Sequence, residues 1–196
     1  MLTKTEVLEP LARLRTDEVV VATMSVVRPW GQLSDSDLDF ASADSAMGHA
    51  ADLALGIAMA QPQRRVVCLN GDGSMLMSLG TLVTIIASGA KNLTLFVIDN
   101  GTYEITGNQP TPGAVDFVVM AKAAGFRRAY RFDEADAYEA ALPNLLRGDG
   151  PVFVCLPVEP GDEGPISRSN KEEARYLKTS LADWSRTLRA ALMGSV

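Results

Sequence analysis

The chain has one histidine, two cysteines and no surplus of positive charge. Lys and Arg total 18 against 24 Asp and Glu, for a net charge of −6, and no basic run exceeds the pairs Arg64-Arg65 and Arg127-Arg128. Nucleic-acid binders concentrate basic residues on one face, so nucleic acid is excluded as the expected partner. Cys68 and Cys155 belong to no C-x-x-C pair, and each lies inside an apolar run that reads as a strand. Neither a zinc site nor an iron–sulfur ligand set is expected, and both thiols read as buried small hydrophobes. No apolar stretch approaches the roughly 20 residues that span a bilayer. Residues 1–10 carry Glu6 and Glu9 where a signal peptide needs an apolar core. The expectation is a cytoplasmic protein without a membrane segment. A dinucleotide-binding fold is disfavoured because no G-x-G-x-x-G follows the first strand. Internal repeats and low-complexity segments are also lacking.

What is present is a composition for one well-buried domain: 196 residues, 47% hydrophobic and 21% charged. Periodicity and breakers predict a helix over 4–14 and a β-branched strand over 19–23. A loop with Pro29, Trp30 and Gly31 follows, then a short extended piece near Phe40 and an Ala/Leu-rich helix over 47–60 that ends before Pro62. Strands are expected at 65–69, 93–98, 129–132 and 152–156. Helices are expected at 75–87, packed on several sides, and at 117–124 and 134–146. The alternation predicts the α/β class: an open, mostly parallel sheet with helices on both faces and right-handed crossovers. The main domain is expected over 1–160. Residues 161–196 read as a Pro/Gly linker and a helical tail, either a docking arm or a solvated terminal helix.

The chemistry concentrates at two strand ends. Strand 65–69 runs into Asn70-Gly71-Asp72-Gly73-Ser74, where an open α/β sheet binds ligands. Gly71 and Gly73 allow close backbone approach and positive φ, and the N–H groups of the next helix offer an anion site. A carboxylate beside a bound phosphate repels it unless a cation lies between, so Asp72 implies a divalent ion, most simply Mg²⁺. Strand 93–98 ends in Asp99-Asn100-Gly101-Thr102-Tyr103, and if the two strands are neighbours Asn100 falls near Asp72. Asp72, the side-chain oxygen of Asn100 and a carbonyl near Thr102 then supply hard oxygen ligands. Gly-Asp-Gly alone reads as a plain turn in a chain with 16 glycines. The pairing with Asp-Asn one helix and one strand later makes it specific.

That pair resembles the signature of the diphosphate-binding domain of thiamin diphosphate enzymes, over about residues 18–158. Ser45-Ala46-Met47-Gly48-His49-Ala50, Gly71-Asp72-Gly73-Ser74 and the run from Asp99 to Thr111 look most like the sulfopyruvate and phosphonopyruvate decarboxylases. The former often occur as separate α and β polypeptides, and a β subunit would be about this length. The resemblance implies thiamin diphosphate and Mg²⁺ as cofactors and decarboxylation of a 2-oxo acid, with the thiazolium as electron sink. It assigns Asp72, Asn100 and the carbonyl of Thr102 to the metal, Gly73-Ser74 to the diphosphate, and the backbone of Ser45 to the aminopyrimidine. Met47 matches the residue that props the cofactor in its bent form. Ala46, Gly48, Gly71 and Tyr103 complete the cofactor-binding set, and Glu104, Thr106, Gly107 and Gln109 line the approach to the reacting carbon. Glu104, His49 and Thr106 are the catalytic candidates. Without the resemblance, Met47 reads as core packing, His49 as a satisfied helix residue, and Tyr103 and Glu104 as turn formers.

The family's acid against the pyrimidine comes from a separate pyrimidine-binding domain, for which 196 residues leave no room. A partner α subunit and a hetero-oligomer with self-association are therefore implied. A non-catalytic scaffold or regulatory subunit is the alternative. The β chains of 2-oxoacid:ferredoxin oxidoreductases carry several cluster cysteines, and transketolase-like subunits several histidines, so both fit poorly. Arg28 and Lys122 are candidates for the substrate's extra anionic group.

Overall fold

Thr3 opens the first helix by a reciprocal cap: its hydroxyl accepts the N–H of Glu6, and the Glu6 carboxylate accepts the N–H of Thr3 at 2.7 Å. The computed structural model describes residues 1–42 and 47–194. Its elements are α1 (Lys4–Leu14), β1 (Val19–Thr23), a 3-10 turn (Met24–Val26), α2 (Val27–Leu33), β2 (Asp39–Ser42), α3 (Ala50–Ala60), β3 (Val66–Gly71) and α4 (Asp72–Met77). They continue with α5 (Thr81–Ser88), β4 (Leu93–Asp99), β5 (Thr102–Tyr103), a 3-10 turn (Glu104–Thr106), β6 (Gln109–Pro110) and α6 (Phe117–Ala124). The last are β7 (Arg128–Arg131), α7 (Ala135–Arg147), β8 (Val152–Pro157), α8 (Arg175–Lys178) and α9 (Leu181–Met193).

Six strands form one sheet in the order β2-β1-β3-β4-β8-β7, every pair parallel. The central strands are apolar on both faces because helices cover both. The crossovers through α2 and α7 run in one direction along the sheet, and those through α3, α5 and α6 in the other. Right-handedness therefore puts the two groups on opposite faces. The contacts agree: α1 packs on α2 and α7, while α5 packs on α3 and α6. The chain leaves β1 for the β2 edge and returns as β3 on the other side of β1, so the strand order reverses between β1 and β3. That reversal is where an α/β sheet opens a crevice.

Three expected elements differ. The expected loop around Pro29-Trp30-Gly31 is helix α2: Pro29 sits in its first turn, where a missing N–H is harmless, and Trp30 is fully buried. The expected helix over 75–87 is two helices, α4 and α5, parted at Ser78-Leu79-Gly80, and α4 already begins at Asp72. The helix expected from 47 starts at Ala50 after a turn at 47–49.

The segment after β8 folds back on its own chain. Tyr176 donates its hydroxyl to the Val27 carbonyl, Trp184 donates Nε1 to the Asp39 carbonyl at 2.6 Å, and Leu177 is fully buried. Arg168 Nη2 donates to the Ala41 carbonyl at 3.0 Å. The tail thus covers the β2 edge, whose open backbone groups would otherwise invite strand pairing.

Candidate functional site

At the end of β3, Gly71 is the extended N-cap of α4 and Asp72 is the first helical residue, 2% exposed. Neither Gly71 nor Gly73 takes a positive φ, contrary to the expected use of these glycines. Their role is space. A Cβ on Gly73 would lie 2.5 Å from the Tyr103 ring, so the tyrosine closes directly over the helix start, while the position above Gly71 is open. Ser74 Oγ accepts the N–H of Gly48 at 3.0 Å, and Gly48 (φ +88°) lies so close to Met77 that a side chain would meet its Cβ. These contacts hold the 47–49 turn against α4.

At the end of β4, adjacent to β3, the chain turns through Asn100 and Gly101 (φ +71°) into the β5–β6 hairpin. The Asp72 carboxylate crosses to this loop: Oδ2 accepts the Gly101 N–H at 2.9 Å and the Thr111 hydroxyl at 3.4 Å. Asn100 Oδ1 accepts the Thr102 N–H at 3.0 Å. The two loops singled out by sequence therefore meet, with the side-chain oxygens of Asp72 and Asn100 on successive groups of one turn. Burial raises the Asp72 carboxyl to about 6, the Asp99 carboxylate pushes the same way, and the N–H groups of Gly73 and Gly101 oppose them. A buried carboxylate raised by burial and by a like charge is relieved by a divalent cation, and the Asp72 carboxylate with the Asn100 amide oxygen are hard oxygen donors that suit Mg²⁺.

A cleft at the β1/β3 reversal is lined by Met24, Ser25, Met47, Gly71 to Ser74, and Thr102 to Ile105. It contains most of the expected cofactor residues; Ser45 and Ala46 lie outside the described residues. His49 does not line it: the ring is exposed, pairs with Asp52 at 2.7 Å, and borders a shallow apolar hollow beside α3. Glu104 is 3% exposed, with one oxygen on Lys4 Nζ and the Glu163 N–H and the other on Asn100. Thr106 and Gln109 bond to each other on the exposed hairpin, with Gly107 (φ +112°) between them. Arg28 is committed to Glu172 through its Nε and Nη2, one edge of the guanidinium, and to the carbonyls of Glu163 and Pro165. Lys122 stands on the exposed side of α6. Sequence reasoning missed Met24, Ser25 and Ile105. The first two directly follow β1, the strand beside β3, and that adjacency was the signal that could have found them. Met24 holds φ +45°, an uncommon value for a residue with a side chain. Cys68 and Cys155 are free and buried, with the Cys155 thiol pushed up by burial to about 12.

Residues 32–156 match the family model described as thiamine pyrophosphate enzyme, C-terminal TPP binding domain. The chain belongs to this family. Among relatives of this TPP-binding family, it is 37% identical over 183 residues to the sulfopyruvate decarboxylase subunit beta of Methanothermobacter thermautotrophicus, covering 91% of this chain and 95% of that one. It is 40% identical over 170 residues to the phosphonopyruvate decarboxylase of Streptomyces viridochromogenes, covering 86% of this chain and 42% of the relative. A phosphonopyruvate decarboxylase of Streptomyces hygroscopicus is 39% identical over 151 residues, 37% of its length. The chain thus spans about two fifths of the phosphonopyruvate decarboxylases it matches. A solved structure described as a thiamin diphosphate-dependent enzyme from Mycobacterium smegmatis superposes with a TM-score of 0.69 at 25% identity, over 82% of this chain and 32% of that one. The doubly wound parallel sheet expected from sequence is the fold of these TPP-dependent enzymes.

Proposed function

We propose that the chain is the diphosphate-binding subunit of a two-chain, Mg²⁺-dependent thiamin diphosphate decarboxylase acting on sulfopyruvate or phosphonopyruvate. The observation that carries this reading is the Asp72 carboxylate seated on the Gly101 N–H, one residue beyond Asn100, at the sheet's reversal point. In this reading Asp72, Asn100 Oδ1 and the Thr102 carbonyl hold the ion. Gly73 and Ser74 meet the diphosphate, the open position above Gly71 admits it, and Met47 props the bent cofactor. The cleft belongs to residues 1–160, and 161–196 are the linker and helical tail that fold back on them. Bound thiamin diphosphate supplies the electron sink for loss of CO₂ from a 2-oxo acid. Tyr103, packed over Gly73, keeps water from the buried face of Asp72.

The acids lining the described cleft are Asp72 and Glu104. Asp72 faces the ion, and both Glu104 oxygens are engaged by Lys4, Asn100 and the Glu163 N–H. An acid against the pyrimidine must come from elsewhere, which favours a partner α subunit carrying the pyrimidine-binding domain. The near-complete match to a protein named as a β subunit supports the same reading. The test is co-expression with a candidate pyrimidine-domain chain and assay of CO₂ release from both substrates with thiamin diphosphate and Mg²⁺. Turnover only with both chains is expected. Complex formation and cofactor binding without turnover on any 2-oxo acid would instead mean a scaffold subunit.

A further inference from the structure

Two segments far apart in the chain, and the neighbouring Asn100, converge on the Glu104 carboxylate. Lys4, the first residue of α1, places Nζ 2.7 Å from Oε1, with both side chains largely buried. The N–H of Glu163, in the segment after β8, donates to the same oxygen at 3.0 Å. Gly161 runs so close that a Cβ there would lie 2.5 Å from Oε1 and 2.9 Å from Lys4 Nζ, so a side chain there would have to displace the pair. Oε2 then accepts Asn100 Nδ2 at 2.7 Å, a charge-assisted bond to a 5% exposed amide.

Asn100 has two nearly isosteric ends, and its neighbours distinguish them. With Nδ2 on the carboxylate, Oδ1 lies at the Thr102 N–H. A flipped amide would set oxygen against oxygen at Glu104 and N–H against N–H at Thr102, leaving two buried groups unpaired. A salt bridge kept for stability alone could be exchanged for an apolar pair at little cost. Here the carboxylate's other oxygen is spent on a residue of the candidate metal site.

We infer that Lys4 and Glu104 form a buried clamp that fixes the Asn100 amide with its oxygen available to the divalent ion, making both positioning residues rather than catalytic ones. This inference rests on the proposed reading of the cleft. It replaces the catalytic role expected for Glu104, and it gives the N-terminal helix and the 161–163 segment a part in metal binding.

The test uses the full chain and the variants Lys4→Met, Lys4→Arg and Glu104→Gln, each checked for folding by its thermal melt. Two quantities are read: Mn²⁺ affinity by electron paramagnetic resonance at saturating thiamin diphosphate, and hydrogen exchange of the Asn100 side-chain amide by NMR without cofactor. Glu104→Gln should speed that exchange and weaken Mn²⁺ binding by about 10–100-fold, the usual penalty for loosening a group that orients a metal ligand. Lys4→Met, which removes a side chain not in contact with Asn100, should move both readouts the same way, and Lys4→Arg should restore them. Wild-type exchange and Mn²⁺ affinity in folded Lys4→Met and Glu104→Gln would overturn the clamp. If Glu104→Gln does not fold, Lys4→Met alone decides. A wild-type chain that holds the Asn100 amide as described yet takes up no Mn²⁺ overturns the cofactor reading, and the clamp's metal role falls with it.

Discussion

Asp72 sets the pH behaviour at the residue scale. Its carboxyl is raised to about 6 by burial and by Asp99, above the ordinary 3.8. A raised folded-state value favours the protonated folded form, so this contribution to stability is complete below about pH 4 and is lost as pH rises through about 6. The metal-free chain should therefore show a melting temperature that declines from about pH 4 to 6 and levels off above, and Asp72→Asn should flatten that decline. If the Asp72 carboxylate ligates the ion, as proposed, the trend reverses with the ion present, and affinity should weaken as pH falls through about 6. Gly73→Ala tests the close approach of Tyr103. Displacing the ring should cost about 1–3 kcal/mol in urea unfolding and reduce thiamin diphosphate affinity; wild-type values for both would show that the contact is dispensable. At this scale, the pairing of Asp72 with the Asn100 loop was legible because parallel neighbours end on one side of the sheet. The commitment of Glu104 was not, because its cation stands 100 residues away at Lys4. The positive φ of Met24 was not legible either, since a methionine gives no sign of it, although its place directly after β1 was.

At the scale of elements, apolar periodicity located the six strands of the main sheet and most helices but not the short β5–β6 hairpin, and it failed where tertiary contacts outweigh propensity. Helix α2 contains Pro29 and Gly31, which read as a turn, yet the tail fixes it: Tyr176 bonds to the Val27 carbonyl, and Tyr176 and Ala174 pack onto Gly31. The apolar run that read as one helix over 75–87 breaks because Gly80, a poor helix former, stands at the joint between α4 and α5. The tail helix was legible as a helix but not as a cover, because its anchor Trp184 finds its acceptor at Asp39. Trp184 also receives the Arg175 guanidinium on its face, 4.9 Å from the ring centre. Trp184→Ala should therefore cost about 3–5 kcal/mol and open the 161–180 segment to limited proteolysis. An unchanged urea midpoint and digestion pattern would mean that the tail is not held by this contact.

The whole molecule is a doubly wound parallel sheet whose reversal between β1 and β3 puts the cleft where the first strand, the Gly-Asp-Gly turn and the Asp-Asn loop all end. Alternation of strands and helices made this architecture readable, and the spacing of the two motifs made the cofactor class readable. The substrate is not written in the same way. Arg28, a candidate for its anionic group, is consumed by Glu172 inside the tail's contact with α2. Among the described residues lining the cleft there is no lysine or arginine.

The central claim is that one divalent ion, held by Asp72 and the Asn100 loop, binds the diphosphate. Calorimetric titration of thiamin diphosphate into the chain, with Mg²⁺ and then with chelator, for wild type and Asp72→Asn, addresses it directly. Binding that requires Mg²⁺ in the wild type and disappears in Asp72→Asn is the predicted result; equal binding with chelator present, or in the variant, would contradict it.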